Sequence, residues 1–381
     1  MTAPLDGIVV VSLEQAISAP FATRQLADLG ATVIKVERPE GDFARHYDSV
    51  VQGESAFFVW ANRGKQSIAL DVKDAEGRAT LRALIAGADV FLHNLSPRAA
   101  QRLGVDAPTL HAAHPSIIAV EISGYGHGGP REDDKAYDLA IQAEAGVFSV
   151  TGDEQVSKVG FSVADICSGM YAFSSILAAL VRRERTGEGA AIQVSMLDSL
   201  AEWVSAPLYN AVYGGGQSPR TGRRHHAIAP YGTFRLADGS TILIAVQSDG
   251  EWRSMAEHLL LAAQLGTDPR FSTNASRIAN VGELERLISA CLDGIPADTA
   301  RERLATGRIA TARVNDLRGL WEHEQLRARG RFVPVSTPSG TVELLATPFD
   351  ISGWTPPPSR VPALDEHDDA TLDAVIERGR D

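Results

Sequence analysis

Cysteine is scarce in this chain. Cys167 and Cys291 are the only two in 381 residues, and no CxxC pair exists. That excludes a disulfide-stapled secreted framework and a thiolate zinc site. Positive charge is also in short supply. Lys and Arg number 36 against 48 Asp and Glu, a formal net charge of -12. Such an acidic chain is a poor match for a nucleic-acid backbone or an anionic membrane surface, which clustered cations recognise. It still leaves room for an anionic small ligand held by a few well-placed cations. The opening Met1-Thr2-Ala3-Pro4-Leu5-Asp6 lacks the charged-then-apolar pattern of a signal peptide. No uninterrupted apolar run reaches the roughly 18 residues of a membrane span. The expectation is a reduced, cytoplasmic protein with no nucleic acid, membrane or metal partner. The chain is 44% hydrophobic and 22% charged, enough apolar material for a substantial core. Its length fits roughly two to three domains.

The first third alternates strand and helix patterns. Ile8-Val9-Val10-Val11 is a continuous apolar run, as expected of a strand buried on both faces. Pro20 stands where a helix could begin and Gly30 where it would end. Thr32 to Val36, Ser67 to Leu70, Val90 to Leu92 and Ile117 to Val120 read as further strands, with a helix over Ala75 to Ala86. This alternation predicts a mostly parallel α/β sheet. From Ile166, the residues Met170, Phe173, Ile176, Leu177 and Leu180 fall on one helical stripe, closed by Gly187. Ile192 to Met196 reads as a strand and Leu197 to Tyr213 as a helix. Gly214 through Pro219 resembles a linker. Tyr231 to Leu236 and Thr241 to Val246 predict a β-hairpin around Asp238-Gly239. Helices follow over Glu251 to Gln264 and Val281 to Cys291. The chain turns helical again near Trp321, and Pro356-Pro357-Pro358 marks an extended tail. The predicted organisation is a large α/β domain over 1–215, a small α+β domain over 220–315, and a return to the large domain over 316–381.

Gly124-Tyr125-Gly126-His127-Gly128-Gly129 satisfies the dinucleotide pattern GxGxxG and follows a predicted strand. That fingerprint needs a helix opening at the glycines, so that its N-terminus meets a pyrophosphate. Here the chain runs into Pro130-Arg131-Glu132-Asp133-Asp134, whose three acids would repel one. The pattern is read as a glycine loop. No Walker A loop, GxSxG elbow or HExxH helix occurs.

Asp165 is the carboxylate of greatest interest, lying just before the strong helical stripe. Its ordinary reading is a helix N-cap. Its chemical reading uses the same geometry: a carboxylate kept ionised at a helix N-terminus can attack an activated acyl group. Tyr137 is a candidate hydrogen-bond donor or a half-buried aromatic. Arg38, Lys73, Arg102 and Lys135 fall near the ends of predicted elements, where ligands of such sheets collect. Together they would suit a phosphate-rich ligand; singly each is an ordinary surface charge. His225 and His226 are adjacent, so on a strand they would face opposite ways and not share a metal. Cys167 reads as a small core residue, having no basic partner nearby.

Several segments, in order along nearly the whole chain, resemble the class III CoA-transferases. This is the superfamily of formyl-CoA transferase, carnitine CoA-transferase and α-methylacyl-CoA racemase. The resemblance lies in Pro4 to Val10, in Ala27-Asp28-Leu29-Gly30-Ala31-Thr32-Val33-Ile34-Lys35-Val36-Glu37-Arg38-Pro39, and in Asn62-Arg63-Gly64-Lys65-Gln66-Ser67-Ile68. It continues in Gly160 through Leu180, Arg185 to Gly189, and Ala229-Pro230-Tyr231-Gly232. It implies an α/β fold whose Rossmann-like large domain is built from both chain ends, with a smaller α+β middle domain. It also implies an interlocked homodimer.

The same resemblance implies roles. Asp165 stands in the place of the nucleophilic aspartate, which passes through a mixed anhydride and an aspartyl-CoA thioester. Tyr137 matches an active-site tyrosine. Arg38, Lys73, Arg102 and Lys135 match positions that contact the nucleotide and phosphates of coenzyme A, and Asn94 lies in the matching Asn-x-x-Pro turn. The racemase branch carries a His-Asp pair where this chain has Tyr137-Asp138, which disfavours α-proton transfer. Formyl-CoA transferase has glutamine where Ile17 falls, with Gln15 nearby, and a mobile glycine loop where His225-His226-Ala227-Ile228-Ala229-Pro230 aligns. Formate and oxalate are therefore disfavoured. Gln15, Ile17, Tyr47, His225 and His226 are expected at the substrate. Glu14-Gln15-Ala16, Tyr47 beside Arg45 and the histidine pair resemble members that use dicarboxylates: succinyl-CoA as donor, and mesaconate, itaconate, citramalate or malate as acceptor. Arg45, Arg63, Arg224 and His225 are candidates for the second carboxylate. The competing readings are an acyl-CoA racemase or epimerase, and a non-catalytic CoA-binding homologue.

Overall fold

The computed structural model describes residues 2–217, 219–356 and 359–380. Ser218 of the predicted linker and Pro357-Pro358 of the predicted tail lie outside the described residues. Six parallel strands form the main sheet: β1 Val9–Leu13, β2 Thr32–Glu37, β3 Lys65–Ala69, β4 Val90–His93, β5 Ile118–Ser123 and β6 Ala190–Ser195. Their order is β3-β2-β1-β4-β5-β6, so the winding reverses between β1 and β4. In open sheets of this kind the crevice at that reversal, at the carboxyl ends of the strands, is the ligand-binding place.

Alternate residues of each strand feed two cores. Val10, Val33, Val90, Leu92, Ile118 and Val120 pack on one face with the Ser18–Asp28 and Val163–Thr186 helices. Val11, Ile34, Val36, Phe91 and Ala119 pack on the other with the Ala75–Ala86 helix and with Leu372 and Val375 near the C-terminus. Burial on both sides is why these strands read as apolar runs rather than as alternating patterns.

The chain divides into two compact units. One comprises Met1–Val147, Lys158–Ala206 and Leu326–Asp381; the other comprises Phe148–Ser157 and Pro207–Gln325. The second holds an antiparallel sheet of Tyr231–Arg235, Thr241–Ala245 and Ala310–Arg313, over a core of Trp252, Met255, Phe271, Leu284 and Ile288.

Some elements differ from expectation. The Val163–Thr186 helix begins ahead of the expected Ile166. By length and composition it is apolar enough to cross a membrane, which the search for uninterrupted apolar runs did not anticipate. Half of its most apolar stretch is buried inside the unit, and it packs along the Ser18–Asp28 helix, the behaviour of a core helix. Gly169 permits that contact: a Cβ there would lie 2.6 Å from the Ser18 carbonyl oxygen and 3.0 Å from Phe21 Cδ1. The predicted Leu197–Tyr213 helix is two helices, Met196–Trp203 and Ser205–Tyr213. The hairpin of Phe332–Thr337 and Gly340–Leu345 was not anticipated. After β5 the glycines 124–129 enter turns, and no helix opens before Asp138, so the dinucleotide pattern stays rejected.

Candidate active site

Asp165 sits in the first turn of the Val163–Thr186 helix, but it is not the cap. Ser162 holds the N-cap position without a side-chain bond. The capping group comes from 27 residues upstream. Asp138, at the start of the Asp138–Glu144 helix, accepts from Ala164 N at 2.8 Å and from Asp165 N at 3.4 Å through Oδ1. Fully buried Gln142 fixes that arrangement. Its Nε2 donates to Asp138 Oδ2 at 2.8 Å and to the Phe161 carbonyl at 3.3 Å, while its Oε1 accepts from Val159 N at 2.9 Å.

The Asp165 carboxyl itself accepts no hydrogen bond and pairs with no cation among the described residues. Burial, reinforced by the Asp138 charge, pushes its pKa up to about 7. The expectation that a helix N-terminus keeps Asp165 ionised is thus corrected. The dipole contributes about 0.3–1 kcal/mol near a surface. A shift of this size is worth several kcal/mol in the other direction. Cys167 is buried in the core, and burial raises its thiol to about 12, as suits a packing residue.

Tyr137 and Tyr47 share the electrostatic surroundings of Asp165. Tyr137 precedes the Asp138–Glu144 helix in an extended conformation and is 70% exposed. Tyr47 follows the short turn Phe43–His46 and meets Phe57 edge-on at 5.5 Å. Burial, with Asp42, Asp165 and Tyr137 nearby, raises its hydroxyl to about 12. It therefore stays a hydrogen-bond donor at any physiological pH.

A cleft of about 170 Å³ opens at the carboxyl ends of β1, β2 and β3. Gln15, Arg38, Gly41, Asp42, Lys73, Leu95 and Leu103 are among its walls. Asn94, after β4, ties two of the bordering loops together: its Oδ1 accepts from Gln15 N at 3.0 Å and its Nδ2 donates to Gln15 O at 2.8 Å. Its side chain is therefore engaged with the protein's own backbone. Ile17 is buried, 4% exposed, which corrects its expected place against substrate.

Arg38 and Lys73 line the cleft; Arg102 adjoins the lining residue Leu103; Lys135 is outside the walls, two residues before Tyr137. All four are exposed, and none makes an ion pair or side-chain hydrogen bond among the described residues. Arg38 lies over the Phe43 ring at 5.8 Å. Uncommitted cations at such a cleft are available to phosphate.

The cations expected at a second carboxylate fare differently. Arg45 gives Nε and Nη2 to Glu37 at 2.9 and 2.6 Å and covers the Phe58 ring at 3.7 Å. Arg63 is buried and holds Asp28 with Nε at 3.0 Å and Nη2 at 2.8 Å. Both are structural. Arg224, His225 and His226 belong to the second unit. There the two imidazoles do not face opposite ways. They stack at 4.9 Å and 17°, in a loop rather than on a strand, and His225 stacks on Tyr231 at 5.3 Å. Among the described residues, no group of three or more His, Cys, Asp and Glu side chains could hold a metal ion.

A buried ionic layer beneath the cleft was not expected from the sequence. Lys65 Nζ gives its three protons to Glu14 Oε1 at 2.7 Å, Pro20 O at 2.9 Å and Asn62 Oδ1 at 3.0 Å. Lys35 Nζ meets Asp42 Oδ2 at 2.8 Å, and Asp42 accepts from Ala16 N at 3.1 Å and Ala44 N at 2.9 Å. The signal was a lysine inside the apolar run Val33-Ile34-Lys35-Val36. A charge there must be paired.

The open parallel sheet, the cleft at its reversal and the uncommitted cations define a ligand-binding α/β protein with a carboxyl poised in a first helical turn. The profile of CoA-transferase family III matches residues 5–368, and the chain belongs to that family. It is an enzyme of the CoA-transferase class. It is 34% identical to an acetyl-CoA:oxalate CoA-transferase of Acetobacter aceti over 95% of this chain and 93% of that one. It is 36% identical to a succinate–glutarate CoA-transferase of Agrobacterium fabrum, over 89% and 87%. The crystal structure of a CAIB/BAIF family protein from Brucella suis superposes with a TM-score of 0.86 at 34% identity, covering 98% of this chain and 100% of that one.

Proposed function

We propose that this enzyme moves CoA from succinyl-CoA, or another dicarboxylyl-CoA, to a dicarboxylic acid of four or five carbons such as mesaconate, itaconate or citramalate. Asp165 is the nucleophile. Its carboxylate attacks the thioester carbonyl, the C–S bond breaks, and CoA leaves as thiolate, giving a mixed anhydride. The thiolate then attacks the aspartyl carbonyl and releases the donor acid, leaving an aspartyl-CoA thioester. The acceptor carboxylate expels the thiolate to form a second anhydride. Attack by the thiolate on the acceptor's acyl carbon returns free Asp165 and the new acyl-CoA. Charge balances at every stage without a proton.

The observation that carries this reading is the half-buried carboxyl of Asp165, without a bonded partner among the described residues and within electrostatic reach of Tyr47, which in turn reaches Tyr137. Arg38, Lys73, Arg102 and Lys135 serve the phosphates and nucleotide of CoA, while Tyr137 and Tyr47 donate to the substrate's oxygens. Gln15 borders the cleft and is assigned to the substrate, as are His225 and His226. The relatives named for oxalate and for succinate and glutarate support a dicarboxylate preference. They also return oxalate to the acceptors worth assaying.

The chain is further proposed to act as an interlocked homodimer. The Ser205–Tyr213 helix has no buried residue, and exposed Leu208, Tyr209, Val212 and Tyr213 support a subunit-covered surface there.

The test is trapping. The protein is incubated with succinyl-CoA, quenched with hydroxylamine and mapped by mass spectrometry, with Asp165→Ala as control. A hydroxamate on Asp165 is expected. An unmodified Asp165 across several acyl-CoAs overturns the assignment.

A further inference from the structure

The carboxylate that caps the Asp165 turn pairs with no cation among the described residues and is not free to move away. Asp138 is held from three sides: by Ala164 N and Asp165 N on Oδ1, and by Gln142 Nε2 on Oδ2. All three are N–H donors, the kind of partner that suits a charged acceptor. Gln142 cannot turn over to release it, because its Oε1 is committed to Val159 N.

We propose that Asp138 is a positioning residue for the group transfer: it fixes the first turn that carries Asp165 and sets a second carboxylate beside it, destabilising the resting carboxylate relative to every acylated state. The inference rests on the reading of Asp165 as nucleophile. When Asp165 attacks, its O–C bond forms as the C–S bond breaks, and the negative charge departs with the thiolate. The anhydrides and the aspartyl-CoA thioester are neutral at Asp165. The repulsion is therefore relieved on acylation and restored only when the thiolate takes the acceptor's acyl group and frees Asp165. A more basic carboxylate is also the stronger nucleophile.

Other groups near Asp165 do not do this. Tyr47 holds its hydroxyl proton, and Cys167 is a buried thiol. On the neighbouring Ser18–Asp28 helix, Arg24 pairs with Asp28. On β5, Glu121 faces His127 at 2.9 Å. Asp198 and Glu202 on the Met196–Trp203 helix, and Glu144 on the Asp138 helix, which pairs with Arg131, make no bond to Asp165. The raised pKa of Asp165 accords with this arrangement, burial being its larger cause and Asp138 the second.

The experiment follows hydroxamate formation on Asp165 in single turnovers with succinyl-CoA, between about pH 5 and 9, in the wild-type protein, D138N and D138E. D138N removes the charge but places an amide against the fixed Gln142 Nε2, so it also loses a hydrogen bond. D138E disturbs the cap as well but keeps the charge. In the wild type the acidic limb is expected at about 7. In D138N it should move down by about one unit and the trapped fraction should fall about tenfold. D138E should hold the limb and recover most of the fraction. An unchanged D138N, or an equal shift in D138N and D138E, overturns the inference. No hydroxamate in the wild type defeats the nucleophile reading instead. If D138N does not fold, the charge-retaining D138E decides, and a limb displaced by about one unit in that variant is the refuting result.

Discussion

Asn94 and Gln15 exchange two hydrogen bonds, side-chain amide to backbone amide, at 3.0 and 2.8 Å. They join the loop after β1 to the loop after β4, across the place where the sheet reverses its winding. The geometry of the cleft therefore depends on one side chain that belongs to neither of the strands lining it most deeply.

Asn94→Ala removes both bonds and leaves Gln15 N and O to find water. Net hydrogen-bond contributions of about 1 kcal/mol each put the loss near 2 kcal/mol of stability. The KM for acyl-CoA should rise while the protein still folds. Thermal melts and steady-state kinetics check both. An unchanged KM would mean that the loop holds its shape without Asn94.

Gly169 offers a test of helix contact. A methyl group there runs into the Ser18 carbonyl at 2.6 Å, which is backbone and cannot swing aside. Gly169→Ala should separate the Ser18–Asp28 and Val163–Thr186 helices and cost about 1–3 kcal/mol. Since Asp165 lies one turn away on the same helix, kcat should fall more than the melting temperature alone would explain. Retention of full kcat in a folded variant would uncouple this contact from the site.

Much of this fold was legible because its strands are buried on both faces. Val9–Leu13 and Thr32–Glu37 declare themselves as apolar runs, and the Ala75–Ala86 helix ends where its pattern ends. The Phe332–Leu345 hairpin escaped notice because most of its residues are not buried and Pro334 interrupts the first strand. Asp165 could be picked out, but its environment could not. The cap is Asp138, brought from another helix, and no local pattern links residues 27 positions apart. Likewise Arg45 and Arg63 looked available in sequence, and only the fold reveals Glu37 and Asp28 already holding them.

Arg38 and Lys73 line the cleft with no ion pair or side-chain hydrogen bond among the described residues, so removing either should leave the fold intact. Each Arg38→Ala or Lys73→Ala change should raise the KM for acyl-CoA about tenfold, the worth of one charge-assisted contact to phosphate. High salt should narrow the difference from the wild type, because exposed charges are screened. Lys65→Met is the contrasting case. It strips Glu14 of its 2.7 Å partner inside the protein and should cost roughly 3–5 kcal/mol of stability. Urea melts separate the two outcomes: unchanged midpoints for the cleft cations and a large drop for Lys65.

Asp165 should cost the protein stability in a pH-dependent way. Burial raises its folded pKa to about 7, from an ordinary aspartate value of 3.8. Between those values the folded chain holds a proton on Asp165 that the unfolded chain has lost. Stability from this group is therefore complete below about pH 4 and is lost as pH rises toward 7. Asp165→Asn removes the charge and escapes that loss. The variant should be more stable than the wild type at pH 8 by roughly 2 kcal/mol, partial exposure of the carboxyl having reduced the full effect. The advantage should shrink to nothing near pH 4, while transferase activity is abolished throughout. Paired thermal melts across that range check it. A constant difference, or a less stable variant at pH 8, would mean that Asp165 is ionised at little cost in the folded protein.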